Sequence, residues 1–344
     1  MAVSIDDVAK EAGVSRGTVS HVLNGNGEAR ISKATQERIR LVVERLGYQP
    51  NRMARSLGRR KTDTIGLIMY GLLNPFYFHL QEAIESVGRE HNYHVFSDTS
   101  TPLPAPDRQQ AKLRGWPMDG VIMWANPSQT ISDYFGQHSA GMNVVYLSGQ
   151  PRIGTDNAVY FDVYGGAKAA MAHLIERGHR RITYVFPFDW VEQQEDEPRR
   201  CAYNDMCRIH ALEPRMVLMD RHAESRRAGM EAGIKIAETP RSERPTALLC
   251  FNDIVAEGIL FGLRRSGIRV PDDIALVGFD GIEEGQYLDT PLTTVRLPAD
   301  IMAREALRIL ITQIKDKENG SSDAVKETFG QIAIETELVV GKTT

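Results

Sequence analysis

The sequence predicts an α/β protein in two unequal parts, a small all-helical head and a long body of doubly wound parallel sheets. Three observations carry that prediction. Between residues 4 and 47, apolar side chains recur at helical spacing in three short bursts, each bounded by capping residues. From residue 62 onward, apolar β-rich runs alternate with amphipathic segments, the rhythm of strands joined by helical crossovers. Charge divides at the same place. Residues 1–61 hold twelve Lys and Arg against six Asp and Glu, a net +6, which leaves −10 for the remainder. With 344 residues the chain has room for two or three domains, each able to bury a core.

The head comes first in the chain. Ser4 can cap a helix, and Asp7 at its third position completes a capping box. Ile5, Val8, Ala9 and Ala12 then form one apolar stripe. Gly13 suits the left-handed residue that ends such a helix, and Val14 is the buried pin before the next. Ser15 caps a second helix whose Val19, Val22 and Leu23 pack inward, helped by the methyl of Thr18. Arg16, Gly17, Ser20, His21 and Asn24 are left on its outer face. After a polar loop, Ser32 caps a third helix with Ile39, Val42, Val43 and Leu46 as its stripe and Gly47 as its stop. A helix with a packed back and a short polar front can enter the DNA major groove. An ordinary helical hairpin with a solvated face is the other reading, and the basic balance of this part alone argues for a polyanion partner.

The segment from Pro50 to Lys61 has helix formers after Asn51, puts Met53 and Leu57 on one face, and surrounds them with arginines. So short a segment does not stay helical alone in water, because nucleation is costly. It reads either as a linker that folds on DNA, with arginines such as Arg55 on phosphates and Leu57 wedged into the minor groove, or as a flexible basic tether.

SIDDVAKEAGVSRGTVSHVLNG, followed by a helix ending LGYQPNRMARSLG, resembles the N-terminal signature of the LacI/GalR (lactose-repressor-type) transcriptional regulators. The resemblance continues through IGLIMYGLLNPFYFHL, MDGVIMW, GGAKAAMAHLIERGHRRI, PTALLCFNDIVAEGI, GIRVPDDIALVGFDGIE and PLTTVRLP, and so covers nearly the whole chain. It implies base or phosphate contacts for Ser4, Ser15, Arg16, Gly17, Thr18, Ser20, His21 and Asn24. It implies backbone or minor-groove roles for Thr35, Tyr48, Asn51 and Leu57. Arg16 is the candidate for direct readout, since a guanidinium can bridge O6 and N7 of guanine. Two positions depart from the family: Gly17 lacks a base-reading side chain, and His21 replaces an arginine with a group largely neutral at pH 7.

In the body, strands are read at Ile65–Met69, Val121–Met123, Val144–Leu147, Ile182–Phe186, Val217–Met219, Leu248–Phe251 and Ala275–Phe279, with helices from about Phe76 and over Val163–Arg177. Ligands of open α/β sheets sit at the carboxyl ends of strands, so two facing units make a cleft. The resemblance implies a two-lobed, periplasmic-binding-protein-like body crossed three times, placed near Phe161, Pro291 and Ser322. The expected divisions are therefore a DNA-binding head at 1–49, a linker at 50–61, and a body at 62–344. Lobe 1 takes about 62–161 and 292–322, and lobe 2 about 162–291 and 323–344.

Polar residues follow the predicted strands: Asn252 and Asp253 after ALLCF, Asp280 after ALVGF, and Arg199 before Tyr203. They resemble the family's effector-binding positions, with Arg199 and Asp280 able to grip vicinal hydroxyls by charge-assisted hydrogen bonds. Helix capping competes as the main role of Asp253. Tyr70, Phe76 and Trp190 are read as aromatic walls, although Tyr70-Gly71 stands where the family commonly has Pro-Asp.

The chain is read as containing no HExxH, GxSxG or CxxC, and the terminal GKTT lacks the first glycine of a phosphate loop, Thr336 standing there. His173 and His179 read as structural. Cys201, Cys207 and Cys250 lack metal or redox spacing and fit reduced thiols, and the charged start does not read as a signal peptide. The expectation is thus a cytoplasmic repressor, not an enzyme, with no cofactor, metal or membrane. It would bind a pseudo-palindromic double-stranded operator as a homodimer, the family's extra C-terminal heptad helix being absent. Its effector would be a sugar or sugar derivative, or alternatively a purine-like base.

Overall fold

The computed structural model describes residues 3–23, 31–48, 61–69, 74–99, 118–124, 142–151, 157–187, 196–219, 225–318 and 329–344. The chain divides into two units, 1–62 and 63–344.

The head holds α1 (Ile5–Ala12), α2 (Arg16–Leu23) and α3 (Lys33–Leu46). The capping box forms as expected: Ser4 Oγ accepts from the Asp7 amide, and Asp7 Oδ2 accepts from the Ser4 amide at 2.9 Å. Gly13 and Gly47 both end their helices in the left-handed conformation, each with φ +62. Val8, Ala9, Ala12, Val19, Ile39 and Val42 form the buried centre, and Ile5, Val14, Val22, Leu23, Val43 and Leu46 close its rim half-exposed.

The body contains two six-stranded sheets. The first comprises β1 (Thr64–Ile68), β2 (His94–Asp98), β3 (Gly120–Trp124), β4 (Asn143–Ser148), β5 (Asn157–Phe161) and β11 (Gly330–Ile334). Their spatial order is β2-β1-β3-β4-β5-β11, with every pair parallel. The second comprises β6 (Ile182–Pro187), β7 (Arg215–Met219), β8 (Ala247–Cys250), β9 (Ala275–Asp280), β10 (Thr293–Arg296) and β12 (Glu337–Val339). Its order, β7-β6-β8-β9-β10-β12, repeats the same winding, with β12 alone antiparallel. Each sheet reverses direction once, between β1 and β3 and between β6 and β8, and these are the switch points where ligands of such sheets sit.

Helices α4 (Pro75–Glu90) and α9 (Ala299–Glu318) cover the first sheet. The second sheet is covered on both faces. Tyr184, Leu249 and Val277 share a core with α5 (Val163–Glu176) and α6 (Pro198–Ile209), whereas their neighbours Val185, Leu248 and Leu276 face α7 (Arg226–Glu238) and α8 (Asp253–Arg265). That two-sided burial explains why β6, β8 and β9 are buried from end to end and, Thr183 and the terminal Asp280 apart, lack polar side chains other than the Tyr184 phenol.

Helices α7 and α8 meet backbone to backbone through four glycines. A Cβ on Gly258 would lie 2.1 Å from the Arg226 carbonyl oxygen, and one on Gly229 would lie 2.3 Å from that of Val255. Gly262 and Gly233 meet Met230 O and Ile259 O in the same way, at 2.3 and 2.6 Å.

Two expected crossings are corrected. Pro291 precedes β10, which still pairs with β9, so the second passage between sheets lies at Leu297 and Pro298. The third lies at Glu335 and Thr336, between β11 in the first sheet and β12 in the second, and Ser322 falls outside the described residues. The first passage falls at Asp162, next to the expected Phe161: β5 belongs to the first sheet, and Asp162 caps α5.

Candidate nucleic-acid interface and cleft site

On α2, Arg16, Gly17 and His21 are exposed and Ser20 is half-buried. The Arg16 side chain is 69% exposed, with its guanidinium 3.9 Å from the Asp6 carboxylate, a contact weak enough for a phosphate or a base edge to displace. Four of the expected contact residues also hold the helices in place. Ser15 Oγ accepts from the Thr18 amide at 3.1 Å and pairs with Thr18 Oγ1 at 2.9 Å, capping α2. Ser4 donates its hydroxyl to Asp7 Oδ2 at 2.7 Å, and Thr35 Oγ1 pairs with the α3 cap Ser32 at 2.9 Å. Tyr48 packs on the head's core. Asn24, Asn51, Arg55 and Leu57 lie outside the described residues.

Gly13-Val14-Ser15-Arg16-Gly17 does carry the Gly-x-Ser-x-Gly spacing, which the sequence reading passed over. A nucleophile turn needs a strand before its serine, and here a helix precedes it and the serine caps another.

In the body, the carboxyl ends of β6, β8 and β9 converge around Arg199. Pro198 opens α6, and Glu197 caps it by accepting from the Arg199 and Arg200 amides. The Arg199 side chain, 14% exposed, folds back so that Nε donates to Glu197 Oε1 at 2.7 Å and Nη1 donates to the Phe251 carbonyl at 2.9 Å. Its guanidinium lies over the Phe251 ring, 3.8 Å from the centroid, with the Phe279 ring at 5.2 Å. Burial opposes the charge of Arg199. Glu197 first, then Tyr184 and Asp280, more than offset that, and its pKa lies above the ordinary arginine value. Glu197 also accepts from the Tyr184 hydroxyl at 3.0 Å, and burial together with that carboxylate holds the phenol well above its usual range.

Asp280 ends β9 with φ +107, a backbone region that non-glycine residues rarely occupy. Its carboxylate is 6% exposed and accepts from Asn74 Nδ2 at 2.6 Å. Asn74 is 4% exposed and caps α4, its Oδ1 accepting from the Phe76 amide at 3.1 Å. The Asn74–Asp280 hydrogen bond thus joins the two lobes at the candidate site. Sequence reasoning missed Asn74, although Asn-Pro at the head of a helix is a visible capping signal.

Asn252 and Asp253 follow β8 as expected, and the Asn252 side-chain oxygen and both Asp253 oxygens are committed to the protein. Asn252 Oδ1 caps α8 through the Val255 amide at 3.0 Å. Asp253 is 0% exposed, accepting from the Ile282 amide at 2.9 Å and from Thr294 Oγ1 at 2.6 Å. Burial, then Asp280, raise its pKa well above the usual carboxylate range. Its observed work is to pin the turn after Asp280 to β10. Phe76 is a core ring, edge-on to Tyr77, Trp124 and Phe161 at 5.3, 6.0 and 5.8 Å. Trp124, half-buried at the end of β3, is a second aromatic that the sequence reading did not single out. Tyr70 and Trp190 lie outside the described residues.

Among the described residues, no His, Cys, Asp and Glu side chains gather as a metal site, and no helix is long and apolar enough to cross a membrane. The three cysteines are free thiols.

Residues 4–51 match the family model for bacterial regulatory proteins of the lacI family, and residues 171–344 match a periplasmic binding protein-like domain. The chain is 32% identical over 324 residues to the HTH-type transcriptional repressor PurR of Aliivibrio fischeri (strain MJ11), covering 92% of this chain and 93% of that protein. Among solved structures it resembles the lac repressor dimer bound to operator and the anti-inducer ONPF, with TM-score 0.80, 23% identity, and coverage of 100% of this chain and 99% of that one. It also resembles the transcriptional regulator CelR in complex with cellobiose, with TM-score 0.68, 26% identity, and coverage of 99% and 100%.

Proposed function

Since the chain belongs to the LacI family of bacterial regulatory proteins, DNA-binding transcriptional regulators rather than enzymes, we propose that a sugar or sugar derivative bound between its lobes sets its affinity for a pseudo-palindromic operator. The observation that supports this most directly is that Asp280, at the end of β9, and Arg199, in the first turn of α6, stand at the same end of the second sheet, close enough for the Asp280 charge to act on Arg199. A buried carboxylate acceptor and a fixed guanidinium suit vicinal hydroxyls. The half-buried Trp124, next to Phe76 and Tyr77, offers an aromatic edge for the apolar face of a sugar ring. The same aromatics would suit a flat base, so a purine-like effector is the second reading.

In this reading the protein works in the cytoplasm as a homodimeric repressor. Two copies of α2 enter successive major grooves, with paired linkers and Leu57 wedges between them. Asn24, Thr35, Tyr48, Asn51 and Arg55 add base or backbone contacts. Lobe movement on binding would change the spacing of the two chains where they leave the body near Thr62, favouring or forbidding the pairing of residues 50–61.

A thermal-shift screen of the full chain against sugars, sugar phosphates and nucleobases tests the effector class, because a ligand of the folded state raises the melting temperature by mass action. Each hit is then carried into operator binding by fluorescence anisotropy. If compounds raise the melting temperature but leave operator affinity unchanged, the regulatory reading fails. A response confined to nucleobases replaces the sugar by the base.

A further inference from the structure

Asn74 divides its amide between two jobs. Its oxygen caps α4, and its nitrogen reaches across to Asp280, a residue 206 positions away that belongs to the other lobe. Both side chains are buried, their contact is 2.6 Å, and the acceptor sits in a strained backbone conformation at a strand end. A buried amide-to-carboxylate bond of this kind is among the stronger neutral-donor contacts.

We propose that Asn74 is an effector-responsive latch between the lobes. It holds Asp280 from lobe 1, and an effector O–H donor releases it by taking the same carboxylate oxygen. This rests on the reading of Asp280 as the effector's acceptor. The chemistry is an exchange of donors: an N–H of Asn74 leaves Oδ2 of Asp280 and an O–H of a polyhydroxyl ligand replaces it, so the charge stays satisfied throughout. Occupancy of the cleft is thereby tied to a contact between the lobes, which gives the ligand different interaction energies in the two lobe arrangements. A ligand without a donor for Asp280 would leave the latch in place.

The test uses the full chain without effector or DNA, followed by amide hydrogen exchange and mass spectrometry of peptides covering 74–84 and 276–286. Asn74→Asp keeps an oxygen to cap α4 but sets carboxylate against carboxylate. Exchange in both peptides should rise by about tenfold, the order expected when a hydrogen bond to a charged group is lost. Asn74→Ser also preserves the cap, is too short to reach Asp280, and should raise exchange in the same two peptides. The reciprocal variant Asn74→Asp/Asp280→Asn restores the pair with donor and acceptor exchanged, and should return exchange to the wild-type rate. Wild-type exchange in both single variants overturns the latch. So does an Asn74→Asp effect that persists in the reciprocal variant. Neither result touches the effector assignment, which stands or falls on the ligand screen.

Discussion

Replacing Arg199 by alanine would remove more than a ligand contact. The guanidinium ties the start of α6 to the end of β8, donating 2.7 Å to Glu197 and 2.9 Å to the Phe251 carbonyl while lying over the Phe251 ring. Breaking a buried ion pair by deleting one partner costs about 3–5 kcal/mol, because the remaining charge stays buried. Glu197 would keep the Tyr184 hydroxyl and two backbone N–H groups, which places its share near ~3 kcal/mol. Loss of the stacking on Phe251 adds about 1 kcal/mol. Arg199→Ala should therefore lose about 3–4 kcal/mol in urea unfolding followed by circular dichroism. Arg199→Lys keeps the charge without the planar fork and should fall between it and wild type. An Arg199→Ala protein within about 1 kcal/mol of wild type would refute the account of Arg199 as a structural tie. Arg199→Ala therefore disturbs the cleft through this tie as well as through any contact Arg199 makes with an effector.

Gly258→Ala puts a methyl 2.1 Å from the Arg226 carbonyl, so α7 and α8 must separate. The expected net loss is about 2 kcal/mol, overpacking less the gain in helix propensity. Gly17→Ala meets nothing nearer than Ser15 Oγ at 3.7 Å, and should stabilise the head by up to about 1 kcal/mol. Urea midpoints of the two variants should move in opposite directions. His173 and His179 have pKa values below the ordinary 6.5, through burial first and Arg177 second. The unfolded chain takes up their protons more readily, so their contribution to stability is present above pH 6.5 and declines as pH falls below it. His179→Gln should flatten the difference between urea midpoints measured at about pH 7.5 and 5.5, and an unaltered difference would exclude that histidine. Arg16→Ala should weaken operator binding by about 1–3 kcal/mol and relax preference at one base pair per half-site, whereas equal weakening on all sequences would show a phosphate contact instead.

The head was legible in the sequence almost residue by residue, because its signals are local. Ser4 with Asp7, Ser15 with Thr18, and the left-handed Gly13 and Gly47 each act within one turn of helix. The strands of the body were also legible as apolar runs, yet their membership in one sheet or the other was not. Pro291 looks like a break between units, but the short run Thr293–Arg296 behind it still pairs with β9. Nothing within four residues of sequence says which sheet a strand joins. The cleft shows the same limit. Asp280 and Arg199 were visible as polar residues near strand ends, whereas the partners that define them, Asn74 and Glu197, look like ordinary capping residues. Asp253 misled for the converse reason: its strand-end position suggests a ligand, while its burial against Ile282 and Thr294 depends on segments 29 and 41 residues later.

The three passages between sheets also bear on the order in which the protein can be completed during synthesis. The second sheet's first five strands, β6 to β10, lie in one uninterrupted stretch from Ile182 to Arg296, and only the antiparallel edge β12 arrives later. The first sheet begins earlier at Thr64 but needs α9 to cover it and β11 to pair with β5, both of which follow Arg296. On a ribosome adding roughly 5–20 residues per second, the lobe that starts first must wait about 9–35 seconds after β5 for its last strand, with a strand edge open. The intervening lobe, once formed, stands as a folded insertion within an unfinished one. Conditions that slow elongation beyond Arg296 should therefore expose β5 and the uncovered face of the first sheet, and leave the second sheet largely protected.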